Sequence, residues 1–274
     1  MRISISHVSE YIYEGPSAPS VQALRLHPAP SNNQTVLSWT VEAPGFDKAA
    51  TYTDGFGNRV DLVTTPANLT TVRVAAWGEV ETEDKGGVAG LTGEAVAPGA
   101  FLRVTPVTAN SPEIQAMADQ VRDPDRLATL HDLMAVIGKH MAYDTGSTHA
   151  QTTAAAAFAA KRGVCQDYAH IFIVAARYLE IPSRYVTGYL LLEDGSGASA
   201  HHAWAEALVD HIGWVGFDAT NDLCPTDRYV RLGSALDAAS AAPIRGVRQQ
   251  TGQERLSVLV SVRESGQSQS QTQQ

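Results

Sequence analysis

Between Lys161 and His170 the chain reads Lys-Arg-Gly-Val-Cys-Gln-Asp-Tyr-Ala-His, a glycine turn that opens a helix with Cys165 at its mouth. The helix carries Tyr168, Phe172, Ala175, Ala176 and Leu179 along one stripe and must stop before Pro182, so it calls for a sheet to lie against. A free cysteine is usually a small core residue. At the first turn of a helix, however, the backbone donors are unpaired, and the positive end of the macrodipole favours a thiolate over a thiol.

Three strands are expected after this helix, over 184–192, 202–209 and 214–218, separated by Glu193-Asp194-Gly195-Ser196-Gly197 and Asp210-His211-Ile212-Gly213. If Leu208 faces Trp214 across the second hairpin, Asp218 falls opposite Trp204, with His202 one diagonal step away on the same face. Such neighbours are roughly 7–8 Å apart at the backbone, near enough for imidazole and carboxylate to meet. A slip of one residue would send them to opposite faces. The order Cys165, His202, Asp218 is that of a nucleophile, its base and the residue that orients the base. His201 competes with His202 for the middle role, and Asp218 has a plainer reading as a turn cap with Thr220 and Asn221. Glu206 and Asp167 read as structural or solvent-facing.

The first 80 or so residues read as β structure. Arg2–Val8, Val36–Val41 and Thr70–Val74 alternate at period two in whole or part, and Pro28-Ala29-Pro30-Ser31-Asn32-Asn33 and Asp54-Gly55-Phe56-Gly57-Asn58 supply turns. No helix follows Gly55-Phe56-Gly57, which argues for a turn and against a nucleotide loop. Residues 83–99 are glycine-rich and read as a linker. Ser111-Pro112 starts a helix that Asp123-Pro124 ends, and Leu127, Leu130, Met134, Ile137 and Met141 mark the buried face of a second. Thr152 or Thr153 caps an alanine-rich third helix, with Gly163 as its stop. A β-branched strand over 256–262 precedes a Gln/Ser tail.

Two cysteines, Cys165 and Cys224, are too few for a disulfide framework and lack zinc spacing; Cys224 reads as a loop thiol. His131 and His140 read as flank or surface residues, so no metal and no cofactor are expected. A net charge of −9 argues against nucleic acid or an anionic membrane as partner and leaves a peptide or protein substrate open. With no long apolar run and no basic-then-apolar start, a cytoplasmic location is expected.

Taken together, these stretches resemble the transglutaminase-like superfamily, in particular the bacterial transglutaminase-like cysteine proteinases. The N-terminal likeness lies in His7–Tyr13, Leu24–Pro28 and Asp54–Asn58; that of the core lies in Gly163–His170, Ile181–Leu190, His202-Ala203-Trp204 and Phe217–Asn221. The resemblance implies an α+β fold, a β-sandwich-like domain over 1–100 followed by a papain/transglutaminase-like core over 101–264 with helices packed on an antiparallel sheet, then a disordered tail over 265–274. It also implies that Cys165 is the nucleophile, His202 the general base and acid, and Asp218 its orienting partner, with Tyr143 helping the Cys165 N–H polarise the substrate carbonyl. This chain has His201 where the family has serine, Ala219 where it has proline and Met141 where an aromatic is common. The implied activity is thioester chemistry on peptides or amides by a protease or amidase; transamidation by a protein-glutamine acyltransferase and a non-catalytic binding role are the alternatives.

Overall fold

The computed structural model describes residues 1–15, 17–29, 31–192, 201–248 and 253–265. Pro30, the loop expected over 193–197 and the tail from Gly266 onward therefore lie outside the described residues. The first part of the chain forms strands β1 (Arg2–Tyr13), β2 (Ser20–Leu24), β3 (Gln34–Glu42), β4 (Ala50–Thr53), β5 (Arg59–Thr65), β6 (Thr71–Thr82) and β7 (Val88–Gly90). Helices α1 (Pro112–Gln120) and α2 (Arg126–His140), strand β8 (Ala142–Tyr143), helix α3 (Ala154–Ala160), strand β9 (Arg162–Gly163) and helix α4 (Cys165–Tyr178) follow. The chain then runs through β10 (Ser183–Leu190), β11 (His201–Val209), β12 (Gly213–Phe217), β13 (Tyr229–Ala235), α5 (Ala238–Ala241), β14 (Ile244–Arg248) and β15 (Glu254–Glu264).

These strands build two four-stranded antiparallel sheets, ordered β15-β1-β6-β3 and β14-β2-β5-β4, and a five-stranded one, β13-β10-β11-β12-β7. The alternation at the chain start becomes an apolar inner face: Ile3, Ile5, Val72, Val74 and Val80 from one sheet meet Leu24 and Val63 from the other in a shared core. A second core lies where α1 to α4 pack on β10, β11 and β12. This is the α+β arrangement expected, with helices on an antiparallel sheet.

The division at residue 100 follows chain order but not the sheets. β15 crosses back to pair with β1 along its whole length, β14 pairs with β2, and β7, within the stretch expected to be a linker, joins the core sheet at β12. Each crossing satisfies the backbone groups of an otherwise open edge. Ser265, the first residue of the expected tail, still donates its amide to Arg2 O at 2.8 Å. No helix among the described residues is long and apolar enough to cross a membrane.

Helix α4 is buried on all sides from Asp167 to Arg177, not along one stripe, because α1, α2 and α3 cover the face turned away from the sheet. Each large apolar side chain fully buried there, such as Phe172, contributes roughly 1.5–3 kcal/mol. The expected caps are present at Ser111 and Thr153, whose side chains accept from Ile114 N and Ala156 N. Lys161, at φ 53°, ends α3 in the left-handed region. Gly163, expected as the stop, has another reason to lack a side chain: a Cβ there would lie 2.5 Å from Asp167 Oδ2.

Candidate active site

Cys165 is the first residue of α4, and the turn that presents it is tied down by Asp167. The Asp167 carboxylate accepts from Val164 N at 2.8 Å and from the Thr148 hydroxyl at 2.7 Å, which satisfies one orphan donor of the helix end. Asp167 is fully buried, so the solvent-facing part of its expectation is corrected: the carboxylate is drawn inward by the donors it satisfies. Cys165 itself is half-buried, as a group that must meet both a partner and a substrate would be.

The histidine comes from β11. Leu208 pairs with Trp214 and Ala205 with Phe217, the register that carries Asp218 to the face of His202. His202 Nε2 stands 2.7 Å from Asp218 Oδ2. Cys165 acts on the same ring, helping to hold its proton, and with Nε2 engaged by the carboxylate Nδ1 is the ring nitrogen left over. Burial opposes a charge on His202, but the hydrogen bonds and charges of Asp218 and Cys165 outweigh it and raise its pKa to about 10. His201 points to the other face of β11, where Nε2 meets Thr187 Oγ1 at 2.9 Å. It does not reach Asp218, since neighbouring residues of a strand face opposite ways.

Asp218 is fully buried and carries more than one partner. Its Oδ2 accepts from His202, from Asn221 Nδ2 at 2.7 Å and from the Tyr229 hydroxyl at 2.7 Å, while Oδ1 accepts from Thr220 N at 3.0 Å. Oδ1 thus caps the turn at Thr220, while Oδ2 holds Asn221 and the His202 ring together. Burial alone would push the carboxyl up; the hydrogen bond and charge of His202, with the hydrogen bonds of Tyr229 and Asn221, hold it below its ordinary value. Burial and the facing Asp218 charge keep Tyr229 a phenol, raised well above its usual range. Trp204 walls the site, lying 28° from the plane of the His202 ring and edge-on to Tyr229.

Tyr143 is exposed on β8, which pairs in parallel with β9 just before the cysteine. Burial of part of the ring, then the charges of Cys165 and Asp218, push its hydroxyl pKa up. Asn221 was expected as part of the turn that Asp218 caps, but Tyr229 was not foreseen. Nothing in spacing or periodicity says that a tyrosine eleven residues on turns back to Asp218.

Behind the site, Glu206 is buried and accepts from Arg184 Nε at 2.6 Å and Arg231 Nε at 3.0 Å, so it too is structural and not solvent-facing. Arg184 lies 3.9 Å above the Trp214 ring. No group of three or more His, Cys, Asp or Glu able to hold a metal occurs among the described residues. His131 is exposed, and His140, half-buried, stacks on Phe158. Burial pushes Cys224 up to about 11, which keeps it a thiol.

With this geometry in place, comparison with known proteins decides the family. The profile of the transglutaminase-like superfamily core matches residues 115–219, and that of the bacterial transglutaminase-like N-terminal region matches residues 3–81. The chain belongs to the transglutaminase-like superfamily. An uncharacterized protein of Mycobacterium leprae is 28% identical over 287 residues, spanning 95% of this chain and 98% of its own, and one of Mycobacterium tuberculosis is 29% identical over 274 residues, spanning 90% and 87%. In fold the chain is similar to a provisionally assigned cysteine protease from Cytophaga hutchinsonii, with a TM-score of 0.72 at 21% identity over 96% of this chain and 97% of the other. The transglutaminase-like core profile spans Cys165, His202 and Asp218, while Tyr229 lies beyond its end.

Proposed function

We propose that this transglutaminase-like protein is a cysteine protease or amidase that works through a thioester acyl-enzyme on peptide or protein substrates. The observation that supports it most is the imidazole of His202, whose Nε2 stands 2.7 Å from the buried Asp218 carboxylate and whose pKa Asp218 and Cys165 together raise. In this reading the thiol proton already rests on the His202 ring, and the Cys165 sulfur attacks the amide carbonyl to form a C–S bond. His202 then gives its proton to the nitrogen as the C–N bond breaks and the amine leaves. Water, deprotonated by the same ring, adds to the thioester; the acid departs and the thiol is restored. The Cys165 N–H at the helix mouth and the Tyr143 hydroxyl hold the oxyanion of each tetrahedral intermediate. Asp218 stays ionised and fixes which ring nitrogen faces sulfur.

The experiment is to incubate the protein with a peptide library, with and without a primary amine, and read the products by mass spectrometry. Cleavage or deamidation that is unchanged by the amine and lost in Cys165→Ala is the expected result. Amine incorporation at glutamine would assign transamidation instead, and products that persist in Cys165→Ala would reject the proposal.

A further inference from the structure

β13 is an edge strand of the core sheet: β10 lies on one side, and on the other no strand pairs with it among the described residues. Two carboxamides of the N-terminal unit stand where a neighbouring strand would. Gln34 accepts from Arg231 N at 2.8 Å and donates to the Arg231 carbonyl at 2.7 Å. Asn58 accepts from Ser234 N at 2.9 Å and donates to the Ser234 carbonyl at 2.8 Å. Each side chain reproduces the pair of bonds that an antiparallel neighbour would exchange with that residue. Both are buried, and Asn58 is itself held by Asp54, whose carboxylate accepts from Asn58 N and Nδ2. Thr82, at the end of β6, adds a third hold by donating to the Asp227 carbonyl. The gripped positions 227, 231 and 234 bracket Tyr229, and Tyr229 is the residue of this strand that donates to Asp218.

Resting on the reading of Asp218 as the residue that orients His202, we propose that the N-terminal β unit is a positioning frame for that carboxylate. Gln34 and Asn58 hold the edge of β13, β13 holds Tyr229, and the Tyr229 hydroxyl holds Asp218 against the imidazole. The geometry has a reason to be built this way. A lone edge strand frays, a shift of about 1 Å is enough to break a directed hydrogen bond, and a reacting pair loses much of its rate when it is misplaced by that much. Gln34, Asn58 and Tyr229 are accordingly positioning residues, which act through Asp218.

The test uses the full chain and needs no substrate. It follows alkylation of Cys165 by iodoacetamide at about pH 6, where an unassisted thiol is almost wholly protonated, with the labelled peptide identified by mass. The variants are His202→Ala, Tyr229→Phe, Gln34→Ala and the double variant of the last two. Tyr229→Phe is expected to slow Cys165 about tenfold, the worth of one buried hydrogen bond. Gln34→Ala is expected to slow it by a smaller factor, and the double variant to be no slower than Tyr229→Phe alone, because the two act in series. Asn58→Ala replaces Gln34→Ala if that variant does not fold. A merely adhesive role for the carboxamides would lower the unfolding midpoint and leave the alkylation rate alone. That result, an unchanged rate in Tyr229→Phe, or effects that multiply in the double variant would each overturn the inference. Equal rates in the wild type and His202→Ala would instead overturn the pairing of Cys165 with His202, and the frame with it.

Discussion

The charge of His202 is what its surroundings stabilise, Asp218 by its hydrogen bond to Nε2 and Cys165 by acting on the same ring. Its pKa is raised to about 10, so the imidazolium contributes stability that is complete below the unfolded value of about 6.5 and is lost as the pH rises through 10. In Asp218→Asn the His202 ring should titrate at lower pH, and its urea midpoint should fall furthest behind the wild type below pH 6.5 and converge with it toward pH 10. Histidine ring NMR with denaturation at each pH checks both; a ring that titrates alike in the two proteins would contradict the assignment. Glu206 gives a second prediction at this scale. Replacing it with alanine leaves two buried guanidinium groups without their carboxylate, for about 3–5 kcal/mol lost in urea unfolding. A loss well under 1 kcal/mol would mean that water takes over, or Glu94, whose Oε2 already stands 3.5 Å from Arg184 Nη1.

Secondary structure explains why so much of the site could be read before any coordinates. The hairpin of β11 and β12 is short and its turn lies close in sequence, so pairing Leu208 with Trp214 settles which face every residue takes, Asp218 included. The start of α4 is likewise local: glycine, cysteine and an aspartate two residues on. What no local pattern reveals is burial of a charge, because Glu206 and Asp167 look like surface residues until their partners arrive from other elements. The same holds for α4, whose stripe was visible and whose second covered face was not. Gly163 tests the helix start directly. A methyl group there would meet the Asp167 carboxylate, so Gly163→Ala should cost about 1–3 kcal/mol and slow alkylation of Cys165. Unfolding midpoints and labelling rates that match the wild type would show that the turn has slack.

The two sandwich sheets and the five-stranded core sheet are interlaced by long-range crossings: β15 on β1, β14 on β2, β7 on β12 and the carboxamides of Gln34 and Asn58 on β13. Contacts between residues so far apart leave no periodic trace, which is why a boundary at residue 100 reads well in the chain order and fails to describe the sheets. A fragment of residues 101–243 is therefore expected to lack a cooperative thermal transition, whereas the full chain unfolds as one unit; a sharp transition in the fragment, seen by circular dichroism, would show that the core stands alone. The chemistry assigned to this assembly has one direct signature. In an acid-quenched reaction with a cleaved peptide, mass spectrometry of the Cys165 peptide should find the acyl half of the substrate attached through a bond that hydroxylamine breaks, and none in Cys165→Ala. Continued cleavage by Cys165→Ala, with no adduct on the wild-type cysteine, would contradict the account.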